Sequence, residues 1–202
     1  MNYLLRNDFT THYNLCVSVS ANFTIETDYD YFEIEDTTAR ELVVHTSRNR
    51  GAAKFSNTDK LNIVIANYDK FITSLPYAFQ HGKERCDMIL SCNTNRYFIL
   101  GELKDRKPKT KVRTKAKNQL IASLQLLIAV PNIYTLICSK AIKRCCFFNK
   151  QSNSPASLTA TRAFNRLSSV FSDGFQMSEP VIESLGFEYF EYSGSQTMSL
   201  RF

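Results

Sequence analysis

Short apolar runs alternate with polar breaks near the middle of the chain, and a helical pattern follows them. "CDMILSC" (86–92) and "RYFILGELK" (96–104) are typical of buried strands, and "NTN" (93–95) is typical of the turn between them. Residues 114–130 instead have leucine and isoleucine on one face at helical spacing, up to the stop at Pro131. These patterns predict a β-hairpin followed by an amphipathic helix.

The segments on either side extend this arrangement into a sheet. Residues 58–76 have apolar positions at helical spacing and predict a helix, although their β-branched residues leave a strand open for 61–66. "IYTLICSKA" (133–141) predicts a further strand, which "RCCFFN" (144–149) could continue. The predicted order is helix, strand, strand, helix, strand. We therefore expect an α/β fold whose mixed central sheet, flanked by helices, combines an antiparallel hairpin with a parallel crossover.

The two ends of the chain add strands and helices to this core. The first 35 residues end in an alternating run rich in tyrosine, isoleucine and threonine, which predicts a strand or hairpin. "DTTARELVVH" (36–45) predicts a short helix, and 47–57 predicts a loop. A helix at about 157–171 and a strand from "FEYFEYS" complete the chain. Its 202 residues are the size of one large domain, so we predict a single domain, 1–202.

Composition indicates a packed interior in a reducing compartment. Hydrophobic residues make up 44% and aromatic residues 12% of the chain, which is enough for a core and argues against disorder. The six cysteines show no metal-ligand spacing and the start of the chain lacks a secretory signal, so we expect reduced, buried thiols in a cytoplasmic protein. The longest apolar run, 120–130, is shorter than the roughly 20 residues that span a bilayer, so no membrane partner is expected.

Positive charge is concentrated in one stretch of the chain. The formal charge is +6, and eight of the 25 Lys and Arg residues fall within 104–117. Such a run could be a solvated loop and helix start, which is the usual fate of charge runs. Because it abuts the acids of the predicted hairpin, Asp87 and Glu102, we instead expect it to bind the phosphate backbone of a nucleic acid. The predicted contact residues are Arg106, Lys107, Lys109, Lys111, Arg113, Lys115 and Lys117.

Two acids and a lysine lie at the same end of the predicted hairpin. Asp87 begins the first strand and Glu102 stands near the end of the second, so antiparallel pairing brings them together. Lys104 is two residues beyond Glu102 and therefore projects from the same face. Two carboxylates suit Mg²⁺, with Mn²⁺ as a substitute, and a neighbouring lysine can steady an attacking water or a developing charge. A strand end that carries a surface ion pair is the simpler alternative.

This arrangement resembles the signature of the PD-(D/E)xK phosphodiesterase superfamily, to which many restriction endonucleases and repair nucleases belong. Asp87 matches the aspartate of the first half of that signature, and Glu102-Leu103-Lys104 matches the (D/E)xK half. Cys86 stands where the superfamily often has a proline, which is a weakly held position.

The resemblance covers about residues 58–142. It implies a restriction endonuclease-like core with a strand-rich N-terminal extension and a helix–strand C-terminal extension. The helix after the signature often turns a polar residue toward the site in this superfamily, and Gln119, or Lys115 one turn earlier, matches that place. An acid on a helix ahead of the first core strand is also common. Glu41 or Asp69 matches it, and Glu41 is a candidate for an additional metal ligand.

The resemblance implies a metal-dependent nuclease that hydrolyses DNA phosphodiester bonds, with restriction or defence as one setting. Asp87 and Glu102 would hold Mg²⁺, Lys104 would position or activate the water, and Gln119 would assist. The resemblance favours DNA over RNA and leaves a homodimer open, because such enzymes often pair when both strands are cut. The alternative is a non-catalytic module on the same fold that binds nucleic acid or, like a toxin or immunity partner, another protein.

Overall fold

Two β-sheets and a layer of helices make up the described part of the chain. The computed structural model describes residues 1–15, 22–107, 109–151 and 174–201. Helices pack against one face of the larger sheet, and the smaller sheet packs against the other face. The expected α/β fold with a mixed central sheet flanked by helices is confirmed at this level.

The larger sheet combines antiparallel and parallel strand pairs. Numbered in chain order over both sheets, its strands are β1 (Thr24–Thr27), β5 (Ile63–Asn67), β6 (Met88–Cys92), β7 (Tyr97–Lys104), β8 (Ile142–Asn149), β9 (Phe175–Met177) and β10 (Glu188–Ser193). Their spatial order is β1-β5-β6-β7-β8-β10-β9. The pairs β5–β6 and β6–β7 are antiparallel, whereas β8 runs parallel to both β7 and β10. The predicted hairpin and the parallel crossover after it are therefore both present.

The smaller sheet is built mainly from the first third of the chain. Its strands are β2 (Tyr31–Asp36), β3 (Leu42–His45), β4 (Ala53–Ser56) and β11 (Met198–Ser199), in the spatial order β11-β4-β2-β3. Of the two alternatives predicted for the N-terminal run, the strand is confirmed by β1 and β2, and the hairpin is wrong because these strands enter different sheets. The predicted helix over 36–45 is also wrong, since the β-branched Val43 and Val44 pair with β2 as part of β3. The predicted loop over 47–57 contains β4.

Helices form the layer on the other face of the larger sheet. In chain order they are a π-helical turn (Leu4–Phe9) continued by α1 (Thr10–His12), α2 (Tyr68–Thr73), α3 (Tyr77–Gln80), α4 (Thr110–Ile128), α5 (Pro131–Cys138) and α6 (Pro180–Ser184). In the described ranges no single helix has the length and apolar character to cross a membrane, although α4 and α5, bent by 108° at their junction, meet that test as a pair. The helix predicted at about 157–171 lies outside the described residues.

Two apolar segments fold differently from the sequence prediction. The strand predicted at 133–141 is instead mostly helix α5, whose two buried isoleucines lie one turn apart and pack into the helical layer. Residues 58–76 contain the strand β5 followed by the short helix α2, so the alternative strand is confirmed and the single long helix is wrong. Asn67 separates the two elements because its side chain accepts a hydrogen bond from the backbone N–H of Lys70 (2.9 Å).

Side chains of β7 alternate between the two cores. Ile99 and Leu103 face the smaller sheet, whereas Leu100 faces the helices. By the same alternation, Glu102 and Lys104 project on the helical side, at the end of the strand where the apolar residues stop.

Candidate active site

Asp87 is held at the start of the hairpin by the strand beside it. Its backbone N–H donates to the carbonyl of Gly101 (3.1 Å), which continues the pairing of β6 with β7. Its carboxylate Oδ2 accepts a hydrogen bond from the backbone N–H of Leu103 (2.6 Å). Asp87 is only 8% exposed, so its carboxylate is fixed at the strand end that carries Glu102 and Lys104.

The Lys104 ammonium joins the two predicted carboxylates. Its Nζ forms an ion pair with Glu102 Oε1 and lies 3.7 Å from Asp87 Oδ2. The Lys104 side chain is mostly buried and Glu102 is fully buried. The structure therefore brings together the three residues that the hairpin pattern put at one end. Their catalytic roles stay predictions.

Burial opposes the negative charge of both acids. Burial raises the pKa of Glu102 well above its usual value, the charge of Asp87 adds to this, and Lys104 only partly offsets it. Burial also raises the pKa of Asp87 to about 6, against the lowering effects of Lys104 and of the Leu103 N–H. Glu102 Oε2 accepts no hydrogen bond from the described residues. The surroundings therefore oppose the negative charge of both carboxylates, and a further cation would stabilise that charge.

Two more acids lie within electrostatic reach of this group. Asp36 ends β2, and burial and the charge of Asp69 raise its pKa while Lys104 lowers it. Asp69 lies in the first turn of α2, where its Oδ1 accepts from Arg85 Nε (2.5 Å). Sequence reasoning offered Asp69 as an upstream acid and missed Asp36. In the sequence, Asp36 is only an acid at the end of an alternating run, which is a weak signal. Asp36 reaches the site through pairing between distant segments, which the sequence pattern does not show.

Glu41 is not where the resemblance puts the upstream acid. It directly precedes β3 and is not on a helix, and both of its carboxylate oxygens accept from Lys70 Nζ (2.7 Å each). Its side chain is 49% exposed. This surface ion pair does not support the prediction that Glu41 binds a metal beside Asp87 and Glu102, because the Glu41 carboxylate is occupied by Lys70.

Helix α4 is fastened to the start of the hairpin by two polar side chains. Gln119 Nε2 donates to the carbonyl of Arg85 (2.7 Å), and Ser123 Oγ accepts from the backbone N–H of Cys86 (2.7 Å). Gln119 Oε1 is buried and has no hydrogen-bond partner among the described residues. Gln119 therefore holds the segment that precedes Asp87, which is a positioning contact.

A cleft of about 290 Å³ opens beside Lys104, where β2 and β7 end. Asp36, Lys104 and Asp105 are among its lining residues. Its other charged lining residues are Glu35, Arg50, Arg106 and Lys150. The cleft thus gathers basic and acidic side chains from separate segments beside Lys104.

The basic segment 104–117 is only partly free to bind an anion. Arg113 Nε pairs with the buried Glu191 of β10 (3.0 Å), and Lys117 Nζ pairs with Glu179 (2.6 Å). Each side chain neutralises a carboxylate packed beside α4, which leaves less of its charge for a phosphate, and the nucleic-acid contacts of both stay predictions. The predicted contact residues that are exposed are Arg106, Lys107, Lys109, Lys111 and Lys115.

Over the described ranges of the chain, no group of three or more His, Cys, Asp or Glu side chains is close enough together to hold a metal ion.

Comparison with known proteins identifies no relative. No protein-family model matches the chain, and neither a curated protein nor a solved structure matches it. Function therefore has to be inferred from the site itself.

Proposed function

We propose that this protein is a magnesium-dependent nuclease that hydrolyses DNA phosphodiester bonds. The observation that carries the proposal is the Lys104 ammonium held between two desolvated carboxylates, Asp87 and Glu102, at the end of a β-hairpin. A charged cleft and an exposed basic segment lie next to this group. Paired acids, a lysine and a surface that attracts phosphate are the parts that metal-assisted phosphodiester hydrolysis uses.

The topology of the larger sheet supports the finer proposal of a restriction endonuclease-like core. β5, β6 and β7 form an antiparallel meander, and α4 and α5 then connect β7 to the parallel strand β8. The acids and the lysine stand at the end of the central strands. This is the position that the PD-(D/E)xK resemblance assigns to them.

Asp87 and Glu102 have the donor chemistry for a hard divalent cation. Mg²⁺ typically binds one or two carboxylates and completes its coordination with water and substrate phosphate, so two acids are sufficient. Glu102 Oε2, which accepts no hydrogen bond from the described residues, is an available ligand atom. When bound, the ion would polarise the scissile phosphate and lower the pKa of a water molecule.

Three side chains of the protein would position the water, align Asp87 and help to retain the cation. Lys104 would donate to the attacking water or to a phosphate oxygen and steady the charge that develops there. Gln119 would keep Asp87 aligned through its hydrogen bond to the preceding segment. Asp36, near the cleft, would add negative charge that favours retention of a cation.

The experiment that tests the proposal is cleavage of plasmid and single-stranded DNA with Mg²⁺ or Mn²⁺. We expect metal-dependent cutting by the wild type and its loss in both Glu102→Ala and Lys104→Ala. Glu41→Ala is the matched control, because Glu41 is also a glutamate paired with a lysine but lies at the surface. Cutting that is unaffected in Glu102→Ala, or lost equally in Glu41→Ala, would contradict the assignment of the site.

A second candidate is a DNA-binding module without catalysis. The exposed basic residues support it, because they do not depend on the two acids. It would bind DNA in a salt-sensitive way that is lost when Lys109 and Lys111 are neutralised, and it would not cut. If the wild type neither cuts nor binds DNA, a protein partner is indicated instead.

A further inference from the structure

A second cavity, of about 630 Å³, lies beside the smaller sheet and has cationic walls. Its charged lining residues are Arg48, Lys54 and Lys150, and its other lining residues are Tyr31, Asn49, Ser56, Gly194, Ser195 and Thr197. No Asp or Glu is among the lining residues in the part of the chain that the structure describes. Positive charge combined with hydroxyl and amide donors is the chemistry of an anion site.

Lys54 is the strongest sign that this cavity binds an anion. It is only 9% exposed, and its Nζ donates to the neutral side-chain oxygen Asn49 Oδ1 (3.2 Å). Within the described ranges no carboxylate lies within ion-pair distance of it. A buried ammonium group without a negative partner is costly, so the site favours an anion that reaches Lys54 from the cavity.

Glu33 explains why Lys54 stays without an ion pair. The two residues are opposite each other in the β2–β4 register. The Glu33 carboxylate instead accepts from the backbone N–H groups of Asn49 (2.8 Å), Arg50 (2.7 Å) and Gly51 (2.7 Å). The same carboxylate accepts the hydroxyl hydrogen of Tyr31. Its hydrogen bonds are thus directed at the loop before β4.

These hydrogen bonds to Glu33 fix the conformation of the loop before β4 and the positions of its side chains. Asn49 has a φ of 66°, a left-handed conformation that asparagine tolerates better than most residues. The Arg48 guanidinium lies over the Tyr31 ring, with Cζ 5.1 Å from the ring centroid. Arg48, one of the three basic residues that line the cavity, is therefore presented by an ordered turn.

Lys150 links this cavity to the cleft beside Lys104. Lys150 lines both spaces, and its Nζ donates to the carbonyl of Arg50 (2.7 Å). Arg50 itself lines the cleft, and Arg48 lines the second cavity. One short basic loop therefore has a side chain at each space.

We infer that the cavity lined by Arg48, Lys54 and Lys150 binds a backbone phosphate of the DNA substrate, outside the bond that is cleaved. The inference rests on the proposed nuclease function, because it names where a strand entering the cleft continues. It predicts that the loop at 48–50 contributes to DNA affinity, a contribution not expected from the residues at 104–117 alone.

The test is binding of a fluorescein-labelled DNA duplex, measured by anisotropy in EDTA over a series of NaCl concentrations. Arg48→Gln and Lys54→Met should each weaken binding and lower the slope of log K against log salt, by up to about 0.9, which corresponds to the loss of the whole phosphate contact. Lys60→Gln is the matched control, because Lys60 is an exposed lysine outside this cavity and should leave the slope unchanged.

The outcomes separate this inference from the proposed function. Reduced slopes in Arg48→Gln and Lys54→Met support the phosphate site even if the wild type does not cut DNA. Unchanged slopes in the exposed Arg48→Gln variant overturn the site, even if the wild type cuts DNA normally. Stabilisation by inorganic phosphate alone, without any effect of these variants on DNA binding, would also overturn it as a substrate site.

Discussion

Glu33 and Glu102 are both fully buried glutamates, yet their surroundings act on the negative charge in opposite ways. Burial raises the pKa of Glu33, but hydrogen bonds from the Tyr31 hydroxyl and from three backbone N–H groups outweigh it, and the net pKa is lowered. Burial raises the pKa of Glu102 as well, and there the charge of Asp87 adds to the effect. The same side chain is stabilised as an anion in one place and opposed in the other.

The two pKa values shift in opposite directions because different donors surround each carboxylate, since both side chains are equally buried. Four donors converge on Glu33 and fix a turn, so its charge serves the fold. Glu102 is bound by the ammonium of Lys104, which also lies near Asp87, and Glu102 Oε2 accepts no hydrogen bond from the described residues. Strongly perturbed acids with unsatisfied charge mark functional sites more often than satisfied ones do.

Glu102→Gln should give the largest effect and the sharpest contrast. We expect cleavage to fall by about 100-fold or more, the scale of losing a positioned catalytic group. The melting temperature should be unchanged or higher, because the substitution removes a charge that burial disfavours. Plasmid cleavage and scanning calorimetry on the same preparation measure both. A melting temperature that drops sharply would mean that the Glu102 charge supports the fold, and the contrast with Glu33 would fail.

Glu33→Ala should show the reverse behaviour. Removing its carboxylate leaves the N–H groups of the Asn49–Gly51 turn without their acceptor, and we expect a loss of about 3 kcal/mol in the free energy of unfolding. Urea denaturation measures this loss. Glu35→Ala is the control on the same strand: Glu35 is partly exposed and paired with His45, so its loss should be below about 1 kcal/mol.

Arg113→Ala should affect stability rather than DNA binding. Within the described residues, Glu191 would be left buried with only the Tyr189 hydroxyl as a hydrogen-bond donor, and we expect a cost of about 2 kcal/mol. Lys111→Ala, at an exposed position on the same helix, should leave stability unchanged and weaken DNA binding. Urea denaturation and the anisotropy assay separate the two effects. An equal loss of DNA affinity in both variants would instead show that Arg113 contacts DNA.

The pH dependence of stability should show the smallest of these effects and still distinguish the sites. The pKa of Glu33 is lower in the folded state than the usual 4.5, so its contribution is present above that value and is lost as the pH falls through the folded pKa. The difference in unfolding free energy between the wild type and Glu33→Gln should therefore shrink on acidification below about 4.5. Urea titrations from neutral to acidic pH measure it, and a difference that grows on acidification would contradict the sign.

Local patterns in the sequence predicted the elements that depend on neighbouring residues. The β6–β7 hairpin needed only two apolar runs and a turn, and α4 needed only its own helical spacing. Elements that depend on distant partners were missed or misassigned. β1 and β2 follow each other in the chain but join different sheets. The run that forms α5 was misassigned because it is short and apolar, although Ile133 and Ile137 stand at helical spacing.

The residues of the candidate site also differ in whether their partners are local or distant in the sequence. Asp87, Glu102 and Lys104 were predictable because one hairpin register brings them together. Asp36 and Glu191 could not be found in this way, since each acquires its partners from segments far along the chain.

The most direct test of the central claim is a calorimetric titration of Mn²⁺ into the wild type, Glu102→Gln and Glu33→Gln. If the unsatisfied charge of Glu102 exists to hold a divalent cation, the wild type and folded Glu33→Gln will bind Mn²⁺ at a saturable site. Glu102→Gln will then bind it much more weakly or not at all. Equal binding by Glu102→Gln and the wild type, or no binding by the wild type even with DNA present, would contradict the claim.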